Sequence, residues 1–288
     1  MIQSASTSWE ERWTELEGLK LRFEHAGKGS ALVLVHGLLG SSFCWRYIIP
    51  LFARTHEVFA PDMPGCGGSD CRRDMDSRLP QTAERLLAFM DNAGIASCDL
   101  VGSSYGGAVA LLAASLQPGR FRQLVLVSPV NPWSRYGHLR LALLRQRLIS
   151  SLFLRWASRI TILDGFFLRR LYGDGRRLAP ETLLGYQARL RRFGVLEHAI
   201  NMVRSWNDDL NDLKSCLARL PELPILVVWG SRDRAVDPSS ARPLVTALGK
   251  LARLEVIEGA GHLPFEDCPE EFCEILGRFL CCSPPLAC

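Results

Sequence analysis

The pentapeptide Gly102-Ser103-Ser104-Tyr105-Gly106 constrains this chain more than any other feature of its sequence. Cys98-Asp99-Leu100-Val101 before it reads as a strand, and Gly107-Ala108-Val109-Ala110 after it opens a helix. A strand that becomes a helix within so few residues needs small residues two before and two after the central serine. The turn then leaves the serine at the top of a sheet with its hydroxyl exposed. Ser104 is therefore a candidate nucleophile.

A serine hydroxyl attacks poorly without an adjacent base. Of the six histidines, His262 is the best placed, in the loop Glu258-Gly259-Ala260-Gly261-His262 that follows the strand-like Arg253-Leu254-Glu255-Val256-Ile257. Two glycines let that loop turn back over the sheet edge. The imidazole in turn needs a carboxylate to hold its tautomer and stabilise the imidazolium. Asp233 follows the apolar run that ends Val228-Trp229-Gly230 and takes this role, with Asp237 as its rival. An aspartate directly before a proline, as Asp237 is before Pro238, more often belongs to a turn. A tetrahedral intermediate needs donors aimed at its oxyanion. The backbone N–H groups of Tyr105 and of Leu38, in the loop His36-Gly37-Leu38-Leu39-Gly40, are the expected pair. His36 is expected to shape that loop through hydrogen bonds.

Short β-branched runs alternate with helical segments, the pattern of a mainly parallel sheet. Strands are expected at Leu19–His25, Ala31–His36, Glu57–Asp62, Cys98–Ser103, Gln123–Ser128, Pro224–Gly230 and Ala252–Glu258. Five end in Gly, Ser, Pro or Asp clusters, and ligands of open α/β sheets bind outside such carboxyl ends. Helices are expected at Gln81–Ala93 and Ala108–Leu116, the latter apolar nearly all round and so buried. The rhythm breaks between Asn131 and Leu220, where helical spacing and about fifteen arginines replace the strands. That is too long for an ordinary connection, so a separate helical layer is expected. The division is 1–130 and 221–288 for the α/β core and 131–220 for a helical cap.

Five motifs together resemble the α/β-hydrolase superfamily. They are His36-Gly37-Leu38-Leu39-Gly40, Asp62-Met63-Pro64-Gly65-Cys66-Gly67-Gly68-Ser69, Gly102-Ser103-Ser104-Tyr105-Gly106, Trp229-Gly230-Ser231-Arg232-Asp233 and Gly261-His262. They run in the right order from about Leu19 to Leu280. The resemblance implies an α/β fold with a mostly parallel eight-stranded sheet flanked by helices, and a helical cap inserted after the sixth strand. It also implies a catalytic triad in the chain order Ser104, Asp233, His262. The closest likeness is to capped esterases and C–C bond hydrolases. Haloalkane dehalogenases and epoxide hydrolases carry an aspartate where this chain has Ser104, which argues against both activities. In many relatives a proline lies four residues after the catalytic aspartate, where this chain has Asp237. That departure keeps Asp237 open as a substitute.

The leading expectation is a serine hydrolase that cleaves an ester or related acyl compound of small to moderate size. A C–C bond hydrolase of a vinylogous diketone, or an acyl transferase, would use the same triad. A protein that binds ligand without turnover is the expectation from another class. Cap residues such as Trp133, Trp156, Phe166, Phe167 and Trp206 offer apolar bulk over the site, and Trp133 is the expected substrate contact. Neither cofactor nor metal is expected. The net charge of +4 and the lack of basic runs interleaved with stacking aromatics exclude a nucleic-acid partner. The basic cap is expected to meet an anionic substrate or surface, with Arg169-Arg170, Arg176-Arg177 and Arg191-Arg192 as suggestive pairs. Hydrophobic residues at 48% and charged ones at 22% fit a chain with a large buried core. The N-terminus has no apolar signal-like stretch and no run is long enough to span a membrane, so a soluble cytoplasmic protein with its ten cysteines as thiols is expected.

Overall fold

A computed structural model describes residues 9–72, 74–134, 138–157 and 161–281. Eight strands form one sheet in the order β1-β2-β4-β3-β5-β6-β7-β8. They are β1 (Trp9–Leu16), β2 (Leu19–Ala26), β3 (Ser30–Val35), β4 (His56–Pro61), β5 (Cys98–Ser103), β6 (Phe121–Val127), β7 (Ile225–Gly230) and β8 (Ala252–Ile257). Strands β1, β2 and β4 pair antiparallel, and β4 through β8 pair parallel in their spatial order.

The strand period of two divides the interior into two cores, one on each face of the sheet. Val33, Val35, Leu100, Leu124, Leu126, Ile225, Val227 and Trp229 enter one core, with α2 (Leu79–Asn92) and α3 (Tyr105–Leu116). Leu32, Leu34, Val101, Val125, Val127, Leu226 and Val228 enter the other, with α1 (Ile49–Phe52) and α11 (Pro269–Cys281). Strands buried on both faces read as continuous apolar runs, which is why β7 stands out in the sequence.

Strand β1 was not among the seven expected. Half of its sequence, WEERWTEL, is charged, and only Leu16 is buried. Its eight register pairs with β2 hold it through backbone hydrogen bonds. Charged side chains suit an edge strand because they discourage pairing with another chain. Helix α3 starts at Tyr105, three residues before the expected start, so the helix begins directly after Ser104.

Between β6 and β7 the described residues form α4 (His138–Arg145), α5 (Arg147–Ala157), α6 (Thr161–Leu171), α7 (Pro180–Leu190) and α8 (Val195–Leu217). No strand occurs there among the described residues. Helices α9 (Ala241–Leu248) and α10 (Pro264–Asp267) complete the chain before α11. Among the described residues no helix is long and apolar enough to cross a membrane. The eight described cysteines are all free thiols. Cys282 and Cys288 lie outside the described residues.

Candidate active site

Ser104 sits between β5 and α3 with φ 54° and ψ −116°, a conformation that side chains larger than glycine rarely adopt. Surrounding hydrogen bonds hold it there. Its N–H donates to Val127 O at 2.8 Å, and its carbonyl accepts from Gly107 and Val130 N–H, each at 3.0 Å. The flanking glycines are required by close approach. A Cβ on Gly102 would meet Gly106 O at 2.3 Å. A Cβ on Gly106 would meet the backbone oxygens of Val35 and His36, both at 2.5 Å. Backbone on both sides cannot give way as a flexible side chain would. Gly106→Ala is therefore expected to cost about 3 kcal/mol or more, read as a lower urea midpoint. A midpoint within error of wild type would show that the turn relaxes freely.

The loop from β8 carries His262 to the same place. Its Nδ1 lies 2.8 Å from Asp233 Oδ2, and both side chains are buried. Asp233 Oδ1 accepts from the N–H groups of Ala235 and Val236 at 2.7 and 3.0 Å. Both carboxylate oxygens are thus engaged, so the group is fixed in orientation. A carboxylate at Nδ1 keeps the proton on that nitrogen and leaves Nε2 free to accept. Asp237 does something else: its Oδ1 accepts from Ser239 N–H at 3.0 Å, and its carbonyl accepts from Ser240 Oγ. It caps a short 3-10 turn, and Asp233 alone of the two bonds to His262.

The loop after β3 closes the third side. A Cβ on Gly37 would come within 2.9 Å of Ser104 Cβ, so this loop presses directly on the serine. His36 shapes it as expected: Nδ1 lies 2.8 Å from Gly37 O, and Nε2 accepts from Met63 N–H at 3.1 Å. Burial pushes its pKa down, so the ring is neutral. Tyr105 is the first residue of α3, where backbone N–H groups have no partner within the helix.

Ser104, His262, Leu38 and Leu39 line one cavity of about 490 Å³, counting its open mouth. Phe167, Leu168 and Leu171 of α6 and Tyr186 and Leu190 of α7 form its other wall, so the helical insertion roofs the serine. Among the described lining residues there is no lysine, arginine or carboxylate. Cys44 also lines it, but burial raises its pKa well above the usual range and keeps it a thiol. Trp133 is not among the lining residues. It packs, partly buried, against the core on the α2–α3 side of the sheet. The side chain of Trp156 lies outside the described residues, and Phe166 is exposed. Arg176 pairs with Asp174, and Arg177 with Asp267, so those two cap arginines are engaged locally.

Sequence reasoning missed how the roof is fastened to the histidine loop. His262 N–H donates to Leu171 O at 2.6 Å, at the end of α6. Asp267 Oδ2 accepts from Gly261 N–H at 2.8 Å and from Gly173 N–H at 2.7 Å, which joins core and cap at one oxygen. Beside it, Glu266 receives Arg46 and Tyr172, each at 2.8 Å, and also Tyr186. The only sequence signal was two acids placed just after His262-Leu263-Pro264-Phe265.

On the opposite side, His198 of α8 lies against the Gly65 turn, with Nδ1 2.9 Å from Ser77 Oγ. Burial pushes its pKa down to about 4, and the charge of Arg85 adds to this. A histidine with a depressed folded pKa stabilises the fold above its unfolded value near 6.5, and that stability is lost as pH falls towards 4. The wild type is therefore expected to lose up to about 3 kcal/mol more than His198→Gln between those two pH values. Parallel urea midpoints for the two proteins across that window would refute this.

A profile of the alpha/beta hydrolase family matches residues 32–275. The chain belongs to the alpha/beta hydrolase family. Among relatives of this hydrolase, the pimeloyl-(acyl-carrier protein) methyl ester esterase of Aeromonas hydrophila is 28% identical over 268 residues, covering 91% of this chain and 100% of that one. The 2-hydroxymuconate semialdehyde hydrolase of Pseudomonas sp. strain CF600 is 26% identical over 272 residues, covering 91% of each chain. In structure, the 2-hydroxy-6-oxo-6-phenylhexa-2,4-dienoate hydrolase of Rhodococcus sp. strain RHA1 shares the fold with a TM-score of 0.81. That match has 24% identity and covers 96% of this hydrolase and 99% of that chain.

Proposed function

We propose that this hydrolase cleaves esters with an apolar acyl group through an acyl-enzyme on Ser104. The observation that carries the reading is that Ser104 and the Asp233-bound His262 line one largely apolar cavity, with no lysine, arginine or carboxylate among its described lining residues. Ser104 Oγ attacks the acyl carbon as His262 Nε2 takes its proton, and the imidazolium is stabilised by Asp233. The N–H groups of Leu38 and Tyr105 receive the oxyanion. Collapse of the tetrahedral species returns the proton to the leaving alkoxide. Water activated by the same histidine then releases the acid and restores the serine.

C–C bond hydrolysis would use the same residues, and a relative named for a semialdehyde substrate keeps it in view. The lining weighs against it where the substrate carries a carboxylate. An anion buried beside leucines and phenylalanines without a cation would be strongly disfavoured. The test is a panel of p-nitrophenyl acetate, butyrate and octanoate with a vinylogous diketone acid, accompanied by fluorophosphonate labelling. Ester turnover that rises from acetate to the longer chains, with labelling, is expected. Turnover of the diketone acid alone would replace the ester reading. Neither turnover nor labelling in the folded protein would favour ligand binding without catalysis.

A further inference from the structure

Helix α5 presents a row of large apolar residues to solvent. Its buried residue is a serine: Ser150 is fully buried, and its Oγ accepts from Arg204 of α8 at 2.7 Å. Three of its large apolar residues point outward, while Ile149 and Leu154 are half-buried. Leu148 is 83% exposed and Leu152, one turn along the same face, is 58% exposed, with Phe153 beside them. Single exposed leucines are normal on a protein surface. A helix with its polar residue inside and a row of apolar ones outside instead marks a surface that meets something apolar.

The charge around that face narrows the choice of occupant. Residues 135–163 contain six arginines and neither aspartate nor glutamate. Arg147 and Arg155 lie on α5 itself, both exposed, and Arg145 precedes it. A symmetric contact between two copies would bring these like charges together, which disfavours a dimer. Apolar residues flanked by arginines fit an anionic lipid surface, where the stems enter the headgroup region and the guanidinium groups meet phosphates. The helix is too short to span a bilayer, so the contact is peripheral.

We infer that the outward face of α5, Leu148, Leu152 and Phe153 with Arg147 and Arg155, docks this hydrolase on anionic membrane surfaces. This goes beyond the proposed reaction and does not depend on it, because binding is measured without turnover.

The full-length protein is sedimented with vesicles of phosphatidylcholine alone and of phosphatidylcholine mixed with phosphatidylglycerol, at low and high salt. Wild type is expected to sediment with the mixed vesicles and to be released from them by high salt. A Leu148→Asp/Leu152→Asp double variant is expected to lose roughly tenfold or more for each leucine. An Arg147→Gln/Arg155→Gln double variant is expected to lose about fivefold per arginine on the mixed vesicles only. All four positions are solvent-facing, and melting curves and circular dichroism verify that each variant is folded. Absence of vesicle binding by wild type overturns the inference, as does unchanged binding by folded variants. A wild-type dimer that Leu148→Asp/Leu152→Asp converts to monomer would assign the face to a second copy and overturn it as well.

Discussion

Ser104→Ala is expected to lower kcat for p-nitrophenyl butyrate by about 10⁴- to 10⁶-fold and to abolish fluorophosphonate labelling. The variant removes the one atom that bonds to the acyl carbon in the proposed reaction and leaves the rest of the site standing. Alanine keeps the Cβ against which Gly37 packs, and the hydrogen bonds to Val127, Gly107 and Val130 are all made by backbone. Melting should therefore shift little, so a large activity loss is attributable to chemistry. Residual turnover over water would come from the oxyanion donors and substrate binding. A variant that retains labelling, or keeps more than about a hundredth of wild-type kcat, would remove Ser104 from the reaction.

Asp233→Asn is expected to lower kcat by about 10⁴-fold, with little change in KM. The size of the effect follows from how the two carboxylate oxygens are engaged. Oδ1 takes the N–H groups of Ala235 and Val236, and only an oxygen can accept them. In the variant the amide oxygen must stay there, so the NH₂ group faces His262 Nδ1. That nitrogen then becomes an acceptor, the ring proton moves to Nε2, and the imidazole can no longer take a proton from Ser104. Asp237→Asn should cost less than about tenfold, because its role is to cap a turn, which an asparagine also does. If Asp237→Asn has the larger effect on kcat, the triad assignment moves to Asp237.

Much of this site was legible because the chemistry forces local sequence. The turn around Ser104 tolerates only glycine at positions 102 and 106, where a Cβ would strike backbone oxygens. The interior of β7 was equally plain, since burial on both faces fills Ile225–Gly230 with apolar residues and a glycine. Strand β1 was hidden for the opposite reason: backbone pairing holds it, and charged residues interrupt its exposed tryptophans so that no apolar run marks it. The partners of Glu266 were hidden by distance along the chain. Arg46, Tyr172 and Tyr186 meet it only after the sheet has closed and the insertion has folded over it. No spacing rule links four such positions. Nor did composition reveal which cap aromatics line the cavity, because Phe167 and Trp133 carry the same apolar bulk and differ only in where they stand.

The seam between Leu171–Gly173 and Gly259–His262 sets a limit on how such enzymes can be recombined. Backbone meets backbone there so closely that a Cβ on Gly173 would lie 1.9 Å from Gly259 O, and one on Gly261 would lie 2.3 Å from Leu171 O. A roof transplanted from a relative would have to bring a glycine to the first position and find one waiting at the second. It would also have to offer a carbonyl at the right height for the His262 N–H. Specificity in this scaffold therefore cannot be exchanged as a module by cutting at the ends of the insertion. A graft that ignores the seam would displace His262, the proposed general base, along with the pocket wall.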